Sequence, residues 1–352
     1  MKFKYILLIF FLLFMGCHSD KRPDVSKLLK DRKILRFDRD VFALDKEQPD
    51  VKKMREKYGA FFEVYVAGVL QLGNADDPEL PGLFSLFLKD SVINEVYDSV
   101  QVKYKDMYEQ EQEFSQAFAY YAYYFPDSRI PQLYTHISGF NQSVIVDSSF
   151  IGISLDNYLG ENCVFYRMLA TPIPAYMQRR MGRENIVKDA LFGWLCTEIP
   201  FIPRHNDLVS GMLYQGKVIY LLEKLLPDYA PERLFDYTAE QLQWCKDNEK
   251  QMWDFLVENE YLFGTGQMLL RKFLFDAPFT SGMPAESPGK AVVWNGYRII
   301  RSYMKKQDIS MEALMKEQGF EFKTTFSSTS EKESYNDEYD ELYNTCKKSL
   351  YS

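Results

Sequence analysis

The stretch 208–226 leaves the fewest choices to the fold. On a wheel of 100° per residue, Leu208, Met212, Gln215, Ile219, Leu222 and Leu226 fall on one stripe, and most other positions are apolar as well. A helix apolar nearly all round has to be wrapped by other elements. A central buried helix is therefore predicted, with Lys217 and Lys224 on the side away from the stripe. Gln215 is the lone polar residue in that line. A core glutamine left without hydrogen bonds costs about 1–3 kcal/mol, so either nearby backbone or a bound ligand has to satisfy it.

The amino terminus says where this helix folds. Met1-Lys2-Phe3-Lys4 precedes an unbroken apolar run over 5–15, shorter than the ~20 residues of a spanning helix but suited to a secretory signal. The run closes on Phe14-Met15-Gly16-Cys17, which resembles a bacterial lipobox with Phe in place of the usual Leu. Residues 1–16 are thus read as a lipoprotein signal peptide, Cys17 as the lipid-bearing residue and 17–32 as a tether. Each buried acyl CH₂ contributes about 0.8 kcal/mol, so a lipidated cysteine holds without any spanning helix. His18 follows Cys17 where an inner-membrane lipoprotein carries Asp, which favours the outer membrane. No cofactor is expected besides the covalent lipid on Cys17.

Without its leader the chain keeps some 336 of its 352 residues, and its formal charge moves from −8 to −10 as Lys2 and Lys4 leave. No basic cluster stands out, which argues against nucleic acid as a partner. Cys163, Cys196, Cys245 and Cys346 are widely spaced and form no C-x-x-C pair, so neither a zinc finger nor a thioredoxin motif is present. One disulfide would be permitted in the envelope; buried free thiols are the plainer reading.

Residues 34–38 alternate as a short strand. Helical patterns fill 51–72 and, past a loop at 73–81, continue with breaks to Phe125. The aromatic cluster Phe118 to Tyr124 reads as helix packing. Short Val-, Ile- and Tyr-rich segments at 132–139, 143–147 and 151–155 read as a small antiparallel sheet with hairpin turns. Helices follow at 184–198 and 207–226. The fold class is α+β, mainly helical, with one domain over 33–322. Residues 323–352 form a polar tail whose composition supports no core and reads as disordered.

Two later helices carry candidate site residues. Thr238-Ala239-Glu240-Gln241 is a capping box that opens a helix whose apolar face joins Leu242, Cys245, Met252, Trp253 and Leu256, with Glu249 in its middle. A carboxylate in an apolar stripe acquires a raised pKa or a cationic partner, at an active site and in a structural ion pair alike. Ser287-Pro288 is read as the N-cap and first position of another helix, whose buried face is Val292, Val293, Gly296, Ile299, Ile300 and Tyr303. Trp294 falls on the opposite face beside Arg298 and Arg301. That face suits recognition by cation–π stacking or of an anion, unless loop or tail covers it. The candidate cleft or binding residues are Gln215, Lys217, Glu249, Trp294, Tyr297, Arg298 and Arg301.

Several stretches together resemble the gliding-motility lipoprotein GldB family of the Bacteroidetes. They are Ile34-Leu35-Arg36-Phe37-Asp38-Arg39-Asp40-Val41-Phe42, Gly152-Ile153-Ser154-Leu155-Asp156-Asn157-Tyr158-Leu159-Gly160, 210–220, Tyr237 to Gln241 with Trp244-Cys245, and Ser287-Pro288-Gly289 onward to Tyr303. The resemblance implies an envelope component of gliding and of type IX secretion. The family is also similar to predicted zinc-dependent peptidases, in which a small sheet precedes a His-Glu-x-x-His helix and a Glu-Gly-x-x-x-Tyr helix completes the site. That similarity implies a zincin-like scaffold.

The chemistry of those peptidases is missing here. The histidines are His18, His136 and His205, none in such a motif, and Gln215-Gly216-Lys217 stands where an acidic ligand belongs. Neither catalytic residues nor metal ligands are assigned. The expected function is a non-catalytic, lipid-anchored component bound to the membrane and to other envelope proteins. The alternative is a hydrolase using Glu249, with Asp156 or His205 as helper.

Overall fold

A computed structural model describes residues 22–317 except Arg204 and Asp308. The leader, Cys17, Cys346 and the tail at 323–352 lie outside the described residues. No described helix is long and apolar enough to cross a membrane.

The chain enters at β1 (Ile34–Leu35) and turns at once into α1 (Phe37–Phe42). The strand expected over 34–38 is thus cut to two residues. Arg36 begins the helix, its carbonyl accepting from Arg39 and Asp40 N–H, while Phe37 and Val41 are fully buried. α2 (Val51–Tyr58) and α3 (Ala60–Val64) follow, then a π-helical turn Tyr65–Val69, α4 (Leu80–Lys89), α5 (Ser91–Lys103) and α6 (Tyr108–Tyr124). The aromatic cluster of α6 does pack helices: Phe118 and Tyr121 meet Trp194 at ring-centroid distances of 5.5 and 4.7 Å.

The sheet is completed by β2 (Gln132–His136), β3 (Val144–Val146) and β4 (Phe150–Ser154), in the order β1-β2-β4-β3. It is mixed, which corrects the antiparallel sheet expected from the sequence. Only β3 and β4 form a hairpin, whereas β4 returns beside β2 and runs parallel to it, as β1 does on the far side. Short strands separated by turn residues suggested successive hairpins; pairing partners are not encoded in that pattern. A sheet with a parallel centre is buried on both faces, and every residue of β4 is buried. Phe150 and Ile145 pack with Phe37, Phe61, Phe62 and Tyr65 on one face, while Ile151 and Ile153 join the larger core on the other. Gly152 is required there, since a Cβ would stand 2.5 Å from the Phe61 ring.

Beyond the sheet come α7 (Phe165–Met168), α8 (Ala175–Gln178), α9 (Ile186–Glu198) and α10 (Leu208–Leu225). α9 lies on the face formed by β3 and β4. α10 is the central helix the pattern predicted, capped by the Asp207 carboxylate on the Ser210 N–H. Lys217, on the side away from the stripe, is buried as well. Then come α11 (Pro231–Phe235), α12 (Ala239–Asp247), α13 (Glu249–Glu258), α14 (Gln267–Leu274), α15 (Val292–Lys306) and α16 (Met311–Lys316). The capping box of Thr238 and Gln241 is formed at the start of α12.

The single helix expected through Glu249 is two. α12 ends at Asn248, whose side chain folds back on the Trp244 carbonyl, and Glu249 opens α13. α15 begins at Val292, later than Ser287-Pro288 suggested. Lys290 has φ of +52°, which blocks helix propagation, and the Ser287 hydroxyl instead ties a turn by bonding Thr280 N–H and the Pro284 carbonyl.

Candidate functional site

The residues singled out in the sequence are distributed over three places. Glu249, Trp294, Tyr297, Arg298 and Arg301 line a cavity of about 430 Å³ together with Glu223, Tyr229 and Phe235. Trp294 is 4 % exposed, so it presents no open face, although it lines this cavity with Arg298 and Arg301. Its Nε1–H donates to Glu249 Oε2 at 3.0 Å, and Arg298 Nε reaches the same oxygen at 3.2 Å. The indole sits inward because the buried carboxylate supplies the acceptor a buried Trp requires. Burial raises the pKa of Glu249, against the opposing pull of Arg298 and the Trp294 bond. Tyr297 donates to Glu223 at 3.0 Å and accepts from Arg301 at 3.0 Å. Its hydroxyl is pushed above its ordinary value by burial and by Glu223.

Lys217 points elsewhere. Its Nζ donates to the Glu317 carbonyl at 2.9 Å, and burial pulls its pKa down to about 8. Asp156 is fully buried beneath the loop after β2, accepting from the Ser138 and Phe140 N–H groups and the Ser154 hydroxyl. His205 is exposed. Neither lines the cavity of Glu249, so the structure brings neither helper of the hydrolase alternative to that carboxylate.

Gln215 opens on a different cavity, of about 610 Å³, between the β3 end of the sheet, α9, α10 and the segment 171–181. Its Nε2 donates to the Leu274 carbonyl at 3.0 Å, the backbone partner that sequence reasoning allowed. The cavity wall is largely apolar, with Phe140, Val144, Ile173, Phe192 and Ile219.

One side of this cavity is an ion network that the sequence reading missed. Lys188 on α9 contacts Asp189 at 2.5 Å and also pairs with Asp236. Arg180 pairs with Asp236 at 3.2 Å and grips Asp276 with two bonds, and Lys290 pairs with Asp276 at 3.0 Å. Tyr158 donates to the other oxygen of Asp189 at 3.0 Å. Three cations therefore answer three carboxylates. Burial would raise Asp236, but Lys188, Lys290 and Arg180 outweigh it and hold the carboxyl well below its ordinary range. Asp276 is likewise held at about 2, where Lys290 and Arg180 overcome burial. Asp189 goes the other way: burial and the neighbouring Asp236 raise it in spite of Lys188. The available signal was the pair Lys188-Asp189 inside the apolar run of α9; charge in such a run marks a cavity or a partner.

The family model of the gliding motility protein GldB matches residues 18–330. The chain belongs to the GldB family. No curated protein and no solved structure matches it. In this GldB chain three of the stretches that carried the resemblance line the 610 Å³ cavity, through Asn157 and Tyr158, Gln215 and Ile219, and Lys290. Arg36 grips the buried Asp38 with two bonds of 2.8 and 2.9 Å, and Thr135 of β2 and Gln101 of α5 complete that cluster. Burial would raise Asp38, but the Arg36 and Thr135 bonds lower it. Asp156 fixes the loop that carries Phe140, and Tyr158 reaches from the same stretch to Asp189. Among the described residues, no group of three or more His, Cys, Asp and Glu is placed to hold a metal ion. Cys163, Cys196 and Cys245 are free thiols, with Cys245 buried.

Proposed function

We propose that this GldB-family chain is a non-catalytic binding component of the cell envelope, held to the outer membrane by lipid on Cys17. It serves gliding motility or the type IX secretion machinery by holding another envelope protein in the 610 Å³ cleft. The observation that carries this reading is that each carboxylate in the cleft is bonded to a cation, which leaves a shaped, mostly apolar cavity beside a neutralised floor.

The likeness to zinc-dependent peptidases supports the same reading. The small sheet is followed by α9, whose cavity-lining residues include Lys188, Asp189 and Phe192 at the spacing of His-Glu-x-x-His. α10 then offers Gln215-Gly216 and Tyr220 where Glu-Gly-x-x-x-Tyr would stand. Ammonium and phenyl groups are not zinc ligands, and an amide is a poor one. On this reading a peptidase-like cleft has kept its shape and exchanged its chemistry for an internal ion network.

A photo-crosslinking residue placed at Met177, on the cleft wall, tests this in cells. It is expected to yield a defined adduct with one envelope protein, whereas the same residue at exposed Val102 gives none. No adduct from Met177, or the same adducts from both positions, would overturn the proposal.

A further inference from the structure

The sheet ends at β3 in an edge whose outward backbone groups are unpaired among the described residues. β3 pairs with β4 through the register Val144↔Ile153, Ile145↔Gly152 and Val146↔Ile151. The flanking bonds, Ser154 N–H to the Ser143 carbonyl and Asp147 N–H to the Phe150 carbonyl, show which backbone groups face β4. They are those of Ser143, Ile145 and Asp147. In an antiparallel pair the alternate residues face the other way, so the N–H and C=O of Val144 and Val146 point out of the sheet. No hydrogen bond reaches those outward groups among the described residues. Proteins blunt such edges by shortness or with Lys, Pro or a bulge. β3 is short, but it reads Val-Ile-Val and carries no Lys, Pro or bulge.

Two outward donor–acceptor pairs about 6.7 Å apart are matched by one kind of ligand, another extended backbone. The Val144 end of this edge lies inside a cavity. Ser143 and Val144 form one wall of the 610 Å³ cavity, and Thr171 to Pro174, Met177 and Phe192 form others. A single extended chain fits between such walls, whereas the β3 of a second copy sits behind the same walls in its own cleft. α9 does not fill this place, since it covers the sheet face, with Gly193 lying over the Val144 and Val146 side chains.

We infer that an extended, apolar-containing segment of a partner polypeptide adds to β3 as a fifth strand, its alternate side chains entering the cavity beside Phe192 and Ile219. This rests on the reading of the cleft as a binding site and names what occupies it. The mode is strand addition, in which backbone bonds supply affinity and side-chain pockets supply selectivity.

The test uses the full chain in detergent and a random twelve-residue peptide library displayed on phage. Peptides that enrich are synthesised and titrated against the wild type, Val144→Pro and Met177→Trp. Proline is tolerated on an edge where the lost N–H faces outward, so Val144→Pro should keep the melting temperature of the wild type. It should weaken the peptides about tenfold or more, one charge-free hydrogen bond and the approach of the strand being lost. Independently of any variant, bound peptide should slow hydrogen exchange at the Val144 and Val146 amides.

Peptides that bind Val144→Pro as tightly as the wild type, but not Met177→Trp, would overturn strand addition while leaving the cleft a binding site. Failure of any peptide to enrich, or indifference to both variants, would overturn both readings. A peptide-free dimer that Val144→Pro dissolves would make a second copy the occupant and overturn the inference.

Discussion

Gly216 and Gly296 meet backbone to backbone where α10 crosses α15. A Cβ on Gly216 would stand 2.3 Å from the Tyr297 amide nitrogen, and one on Gly296 would stand 2.0 Å from the Met212 carbonyl oxygen. The crossing sets the height of Gln215 above the cleft, since Gln215 is the residue before the contact. Alanine in an exposed helix is worth about 1 kcal/mol over glycine, but here the clash is with main chain that cannot step aside. Gly216→Ala and Gly296→Ala are expected each to lower stability by about 1–3 kcal/mol, read as a fall in the urea midpoint.

Glu249 gives a prediction with a definite sign. Its carboxyl is raised from the ordinary 4.5 chiefly by burial, so the fold favours the protonated form. That contribution is complete below the unfolded value and is lost as pH rises through the folded one. Glu249→Gln cannot ionise and still accepts from Trp294. Its stability relative to the wild type should therefore improve as pH rises above the ordinary 4.5. Glu249→Ala, which strips Trp294 Nε1 of its acceptor, should cost about 1–3 kcal/mol.

His136 predicts the opposite slope. It is fully buried between the Phe61 and Tyr65 rings, and burial pulls it from 6.5 down to about 3. The neutral ring stabilises the fold fully above the unfolded value, and the contribution drains away as pH falls from 6.5 toward 3. The slope is roughly 1.4 kcal/mol per pH unit at most. Denaturant melts across that window should show it in the wild type and lack it in His136→Leu.

How much of this was legible in the sequence follows from what each signal depends on. The central helix at 208–226 and the capping box at Thr238 were readable because periodicity and caps are local. Strand pairing was not, because β4 bonds to β2 across the chain of β3, and no local pattern reports that. Trp294 was misplaced for a related reason: a helical wheel sets Trp294 and Arg298 together but cannot show that Glu249, on another helix, draws both inward. The cleft network joins α9 to Arg180, Asp236, Asp276 and Lys290, which lie far apart in the chain, and only Lys188-Asp189 hinted at it.

The anchor has its own test. Replacing Cys17 by Ser should abolish incorporation of labelled fatty acid and release the chain from the membrane fraction. Unchanged labelling would place the lipid elsewhere or nowhere.

The central claim is that the cleft binds and does not catalyse. Complementation of cells lacking their own copy tests it most directly, with two variants read side by side. Asp189→Asn removes the one carboxyl in the network whose pKa is raised while leaving an amide oxygen for Lys188 and an amide N–H that the Tyr158 hydroxyl can accept. Met177→Trp fills the cavity. The account predicts that Asp189→Asn restores function and Met177→Trp does not. Full rescue by Met177→Trp, or failure of a stably folded Asp189→Asn, would contradict it.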